Sequence, residues 1–247
     1  MTALFVTSSG TGIGKTLVCC RLLESLSDRR SLEAARRPGA TAVRCIKPII
    51  TGFNPAAPAQ SDTGRLLDAQ RLAIDPDNIE ATSPWRFRAA LSADMAAARE
   101  DRTVPFDDLV TFSRPRAGVD LTLIEGIGGV MAPIDSSHTV LDWIAALDAS
   151  VLLVVGSYLG TLSHTLTAAA VLAQRKRGPL AVVVSESQEA PAPIAQTAAS
   201  LESHCAGVPI LTLPRDDEAG VAAAIASIKR LLALPHLKGV QGSGPGV

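Results

Sequence analysis

Residues 7–16 read T-S-S-G-T-G-I-G-K-T and directly follow the apolar run Ala3-Leu4-Phe5-Val6. A short apolar run feeding a glycine-rich turn predicts a buried strand, a tight turn and then a helix. Gly10, Gly12 and Gly14 let the backbone bend so that successive N–H groups face an oxyanion. Lys15 is placed to reach β- and γ-phosphates, and the Thr16 hydroxyl suits Mg²⁺. The start of the helix adds the positive end of its dipole to the same spot.

In the strict P-loop pattern a glycine stands five residues before Gly14, and here that residue is Ser9. A glycine turn that holds no nucleotide would use the same residue types. The strand before it, the amphipathic helix after it and the Lys15-Thr16 ending favour the phosphate site. A dinucleotide fingerprint is excluded: it needs no Lys-Thr, and no acid follows a second strand at the required distance.

The 247 residues are 47% hydrophobic but only 3% aromatic, which predicts a core of Ala, Val, Leu and Ile. That composition suits a parallel sheet covered by Ala-rich helices. A net charge of −1 argues against nucleic acid as a partner. Arg29, Arg30, Arg36 and Arg37 read as a solvated connection. The four cysteines show no C-x-x-C spacing, as expected of a reduced cytoplasmic protein. Neither a leader nor a membrane-length apolar run is apparent.

Strand and helix signals alternate. Strands are predicted at 3–6, 42–46, 120–124, 150–155, 180–184 and 210–213. Helices are predicted at 15–26, 61–70 (Ser61 as N-cap), 92–100, 106–113, 140–147, 163–174, 194–203 and 220–234, with a loose stretch at 51–61. The series predicts an α/β fold: a single-domain, doubly wound, mostly parallel sheet with the P-loop after its first strand. Residues 1–237 form that domain, and the tail 238–247 (K-G-V-Q-G-S-G-P-G-V) is too polar and glycine-rich to join a core. Ligands of such sheets bind beyond the carboxyl ends of the strands.

Several chemical groups fall at predicted strand ends. Lys47 follows the second strand, and Pro48 and the Thr51-Gly52 loop direct it into the cleft rather than outward. Glu125 closes an apolar strand and runs into Gly126-Ile127-Gly128-Gly129, a placement suited to holding Mg²⁺. Asp62 opens a helix, where an acid is also ordinary dipole compensation. The stretch Gly160-Thr161-Leu162-Ser163 offers free N–H groups and hydroxyls to a carboxylate, or simply a cap at Ser163. His164 reads as a packed or capping residue. This set supports phosphoryl transfer, in which a protein positions reactants and neutralises charge.

Taken in order, these residues resemble the dethiobiotin synthetase family of ATP-dependent enzymes, from residue 2 to about 214. The resemblance is carried by V-T-x-x-x-T-x-I-G-K-T at 6–16, K-P-I-I-T-G at 47–52, S-D-T at 61–63 and S-P-W-R-F at 83–87. It continues through L-S-A-D-M-A-A-A-R-E at 91–100, E-G-I-G-G-V-M-A-P-I at 125–134, L-D-W at 141–143 and L-L-V-V-G-S-Y-L-G-T-L-S-H-T-L at 152–166.

The resemblance implies Thr11, Lys15 and Lys47 as catalytic residues. It implies an ATP site of Gly12, Ile13, Gly14, Lys15, Thr16, Leu17, Asp62, Glu125, Gly126, Ile127, Gly128, Ser185, Glu186, Pro214, Arg215 and Asp216. Thr16, Asp62 and Glu125 would hold Mg²⁺. Thr51, Gly160, Thr161, Leu162 and Ser163 would bind 7,8-diaminononanoate, the last four from across a homodimer interface. The implied reaction joins CO₂ to one amine as a carbamate. It then passes the γ-phosphoryl of ATP to the carbamate and closes the ureido ring by attack of the second amine.

The chain departs from the family pattern in four places. Many members carry Gly at Ser8, an acid at Gly12 and Pro at Ala93, and Asn-Asp where this chain has Ser185-Glu186. Other readings fit less well. A partitioning-type ATPase would place a signature Lys at Gly10, a cobyrinate-type amide synthetase would need a glutaminase region, and a GTPase would need N-K-x-D. An inactive paralogue remains as an alternative.

Overall fold

The computed structural model describes residues 2–26 and 42–232. The four arginines at 29, 30, 36 and 37, the tail 238–247 and the last residues of the helix predicted at 220–234 lie outside the described residues. Strand β1 (Thr2–Ser8) leads through the glycine turn into helix α1 (Lys15–Leu26). Next come β2 (Val43–Ile46), β3 (Ile49–Thr51), a 3₁₀ turn at Pro58–Gln60 and α2 (Asp62–Ala69). The chain continues through α3 (Pro76–Thr82), β4 (Trp85–Phe87), α4 (Ala93–Ala98), α5 (Phe106–Ser113) and β5 (Leu121–Glu125). It finishes with α6 (Val140–Leu147), β6 (Ser150–Val155), α7 (Thr161–Gln174), β7 (Ala181–Ser185), α8 (Ile194–His204), β8 (Ile210–Leu213) and α9 (Glu218–Leu231).

Six strands form one sheet in the order β2-β5-β1-β6-β7-β8, and every pairing is parallel. Side chains alternate across a strand, so β1 serves both faces. Leu4 and Val6 pack with Val18 and Leu22 of α1 and with Ile225 and Ile228 of α9. Phe5 packs on the opposite face with Leu109 of α5 and with Trp143 and Ile144 of α6. The Phe5 and Trp143 rings meet edge-to-face at 4.7 Å, and Trp143 Nε1 donates to Ser113 Oγ at 3.2 Å. The sheet is therefore covered on both sides, as the predicted doubly wound fold requires.

β1 lies between β5 and β6, the point at which the chain changes its direction of travel across the sheet. The turn after β1 opens there, in the crevice expected to bind ligands. Two features were not foreseen. Ile49–Thr51 and Trp85–Phe87 pair as a separate two-stranded parallel sheet, and Pro76–Thr82 is helical. That helix carries a legible signal, Asp75 as N-cap accepting from Asn78 N, followed by Pro76 in the first turn. Several helix boundaries shift by up to two residues, as at Glu218 for the helix predicted from 220 and Ala93–Ala98 for that predicted at 92–100, and one shift moves a predicted site residue. The helix predicted from Ser163 begins at Thr161 with Gly160 in the cap position, so Ser163 lies inside its first turn.

Candidate active site

The turn after β1 achieves its shape with glycine where glycine is needed. Gly12 and Gly14 have φ of +71° and +105°. A Cβ on Gly14 would lie 2.6 Å from Ser185 Oγ, so the turn rests directly on the end of β7. Ser9, the residue that breaks the strict pattern, is absent from the positive-φ residues. Its N–H instead donates to Val154 O at 3.2 Å, extending the β1–β6 ladder by one bond. A serine is therefore accommodated without strain.

Lys15 is buried, and its three N–H bonds all have acceptors within the protein. These are Ser8 Oγ at 2.9 Å, Gly128 O at 2.9 Å and Gly10 O at 3.1 Å. Burial, followed by the charge of Lys47, pulls its pKa down to about 8 against the opposing pull of Glu125 and Asp62. Ser8, which was not singled out as a site residue, thus supports the P-loop lysine.

Three elements position the remaining polar groups. Thr16 is in the first turn of α1, and its hydroxyl donates to Glu125 Oε1 at 2.8 Å. Asp62 is the first residue of α2, whose N-cap Ser61 accepts from Gly64 N at 3.1 Å. Lys47 follows β2 with its backbone tied down. Its N–H donates to Thr82 O, and its carbonyl accepts from Ser83 Oγ at 2.6 Å. Thr63 Oγ1 lies 2.7 Å from that same Ser83 hydroxyl.

Lys47 is only 5% exposed, and its ammonium bridges two carboxylates. Nζ lies 2.5 Å from Glu125 Oε1 and 3.1 Å from Asp62 Oδ2. Burial opposes its charge, but the two carboxylates outweigh burial and hold its pKa above the ordinary lysine value. Burial likewise opposes the charge of Asp62, and Lys47 reverses that, leaving Asp62 below the usual carboxylate range. The other Glu125 oxygen, Oε2, is buried and has no partner.

These groups line one cavity of about 290 Å³ together with Thr11, Gly12, Ile13, Gly14, Leu17, Thr51, Ile127 and Gly128. Sequence reasoning missed two lining residues, Ile50 and Arg65. Arg65 follows Asp62 by three positions on α2, and that helical spacing puts both on one face. Gly126 continues the Glu125 strand end, its N–H donating to Val6 O at 2.9 Å.

Two predicted groups stand outside this lining. Ser185 and Glu186 end β7, while Pro214, Arg215 and Asp216 follow β8. Glu186 Oε2 accepts from Arg215 N at 2.8 Å, which closes that corner. Ser185 alone reaches the P-loop, through Gly14. Gly160, Thr161, Leu162 and Ser163 form the start of α7. The Thr161 hydroxyl donates to Gly156 O at 2.7 Å and is buried, so its proton is not free for a substrate carboxylate. Ser163 and Leu162 face outward, Leu162 at 38% exposure. His164 is exposed and caps nothing, so it is not the packed or capping residue expected; its Nδ1 lies 2.9 Å from Tyr158 Oη.

The donor set is hard: two carboxylates and one hydroxyl. Among the described residues no three His, Cys, Asp or Glu side chains gather into a metal cage. No helix among them is long and apolar enough to cross a membrane.

The chain matches the family model described as an AAA domain over residues 2–242. It is 42% identical over 212 residues to the ATP-dependent dethiobiotin synthetase BioD of Acidiphilium cryptum, covering 85% of this chain and 91% of that one. Identity to the protein of the same name from Caulobacter vibrioides NA1000 is 44% over 218 residues, 87% of this chain and 93% of its relative. Among solved structures, the septum site-determining protein MinD of Pyrococcus horikoshii, complexed with Mg-ADP, superposes with a TM-score of 0.51. Its identity is 15%, over 98% of this chain and 99% of that one, which shows a shared fold alone. Sequence, order of motifs and coverage agree: this chain belongs to the ATP-dependent dethiobiotin synthetase family.

Proposed function

We propose that this chain is an ATP-dependent dethiobiotin synthetase, a ligase that forms a C–N bond while closing a ureido ring in biotin biosynthesis. The observation that carries the reading is the convergence of Lys15, Thr16, Lys47, Asp62 and Glu125 on one cavity. Two anionic groups, a triphosphate and a carbamate, repel each other in water. A cavity with two buried lysines offsets that repulsion more strongly than solvent can.

The residues divide the work. The turn N–H groups from Gly12 to Thr16 and the Lys15 ammonium hold the triphosphate, with Thr11 and Leu17 at its margin. The end of β7 and the turn after β8 receive the base, where Ser185 and Glu186 present a hydroxyl and a carboxylate in place of an amide. Thr51 faces 7,8-diaminononanoate, and Lys47 holds the carbamate made from CO₂ on one of its amines. The carbamate oxygen attacks the γ-phosphorus and ADP leaves. The second amine then attacks the carbonyl carbon and loses a proton, and phosphate departs as the ring closes. Water exclusion by the buried strand ends protects the mixed anhydride from hydrolysis.

Thr16, Asp62 and Glu125 fit Mg²⁺, since their oxygens are hard ligands and Glu125 Oε2 is buried without a partner. When bound, Mg²⁺ supplies positive charge to the phosphate oxygens. The partner is a second copy of the chain, meeting at the start of α7, where Leu159 is 87% exposed. There the N–H groups of Leu162 and Ser163 take the substrate carboxylate of the neighbouring site. The compartment is the cytoplasm, a placement favoured by four free cysteines.

The test is to incubate the protein with 7,8-diaminononanoate, bicarbonate, Mg²⁺ and ATP and to follow dethiobiotin by mass spectrometry. We expect product formed with ADP in equal amounts. ATP hydrolysis with no ring product would overturn the synthetase reading in favour of a nucleotide switch.

A further inference from the structure

Both buried lysines of the cavity are committed to the protein itself. Lys15 uses all three N–H bonds on Ser8, Gly10 and Gly128. Lys47 contacts Glu125 Oε1 and Asp62 Oδ2, and that Glu125 oxygen also accepts the Thr16 hydroxyl. The three residues touching or sharing the Lys47 contact are therefore the three assigned above to the divalent cation. An ammonium at 2.5 and 3.1 Å from the two carboxylates fills the volume that a metal ion would need.

We propose that Lys47 is a built-in occupant of the divalent-cation position, which entry of metal with nucleotide displaces, releasing the ammonium to face the anionic substrate. The identity of the metal ligands rests on the reading above. A buried carboxylate pair is costly without a counter-charge, and Lys47 supplies one while the site is empty of ligand. A dication bound by Asp62 and Glu125 competes with Lys47 for the same oxygens, and the anionic nucleotide and substrate give the released ammonium new partners. Its backbone stays anchored to Thr82 and Ser83, so only the side chain moves. Ile50 and Thr51 line the same cavity, so the released ammonium remains beside the diamine position. The consequence is a linkage: bound metal and nucleotide tighten the hold on the carbamate.

The probe is Mn²⁺, titrated by electron paramagnetic resonance without nucleotide and with β,γ-methylene-ATP. In Lys47→Met, Mn²⁺ alone is expected to bind about tenfold tighter than in the wild type (about 1.4 kcal/mol). Lys15→Met removes a charge from the same cavity without freeing a carboxylate and is expected to gain much less. In the wild type, Mn²⁺ with the analogue should tighten binding of 7,8-diaminononanoate plus bicarbonate, and Lys47→Met should lose that gain. Equal Mn²⁺ affinity in wild type and Lys47→Met, or an equal gain in Lys15→Met, overturns the exchange and leaves the synthetase reading standing. No Mn²⁺ binding in any protein, even with the analogue, removes the metal assignment and the exchange together. A readout without substitution uses ¹⁵N-lysine-labelled wild type. The slowly exchanging Lys47 ammonium resonance should move or vanish when Mg²⁺ and the analogue are added, and an unmoved resonance overturns the proposal.

Discussion

Ser8 shows how one hydroxyl can alter a phosphate site without touching phosphate. It stands where many members of the family have glycine, and it accepts one of the three Lys15 hydrogen bonds. To bind a triphosphate, Lys15 has to exchange those acceptors for phosphate oxygens. Removing one acceptor destabilises the ligand-free arrangement more than the bound one. A hydrogen bond to a charged group contributes about 1.5–3 kcal/mol. Ser8→Ala is therefore expected to lower the KM for ATP by about threefold or more, with kcat little changed, in steady-state assays of ring closure. A raised KM would mean that the hydroxyl contacts nucleotide directly. Ser9 teaches the complementary lesson. Its departure from the strict pattern is tolerated because the positive φ values fall at Gly12 and Gly14 instead.

At the scale of elements, helix α6 is held by a reciprocal cap. The Thr139 N–H donates to Asp142 Oδ2 at 2.9 Å, and the Thr139 side chain caps the third helical position in return. Burial opposes the Asp142 charge, but the Thr139 hydrogen bonds and the Arg175 charge together outweigh it, so the folded value lies below the ordinary one. A carboxylate with a depressed folded pKa stabilises fully above its unfolded value of about 3.9 and loses that contribution as pH falls through the folded value. Asp142→Ala is expected to cost about 1 kcal/mol at pH 7 in urea unfolding. The difference from wild type should shrink below about pH 4. A gap that stays constant on acidification would show that the cap acts through shape rather than charge. α6 carries Trp143 into the core against Phe5, so this cap also fixes one wall of the strand that launches the P-loop.

For the whole molecule, the proposed pairing of two chains has a specific consequence. Leu159, Leu162 and Met131 are large apolar side chains left open to solvent, Leu159 the most so. Leu159→Asp removes no core contact, so the fold should persist. It is expected to shift sedimentation from dimer toward monomer and to raise the KM for 7,8-diaminononanoate while sparing that for ATP, whose proposed site lies within one chain. A variant that remains dimeric with an unchanged substrate KM would place the interface elsewhere.

Much of this was legible in residue order. Apolar runs bounded by glycine and polar turns located all six strands of the main sheet, because burial on both faces demands unbroken Val, Leu and Ile. Gly-Lys-Thr, Lys47 and Glu125 stood out as candidates because phosphate and metal chemistry admit few residue types at strand and helix ends, whereas Asp62 joined them only through the family resemblance. The β3–β4 sheet was not readable, since two three-residue segments whose partners lie 36 positions apart carry no local period and pair only once α2 and α3 bring them together. Arg65 and Ser8 were missed for a related reason: each acts through a neighbour distant in sequence or on another turn. By itself, then, the sequence determined the parallel α/β architecture and the chemical inventory of the site, because periodicity and residue type are local properties. Only the tertiary structure decided that Lys47 rests on Glu125 and Asp62 and that Lys15 is turned onto Ser8, Gly10 and Gly128. Those choices depend on distances among β1, β2, β5 and α2, and on which buried charge finds which partner when water is excluded.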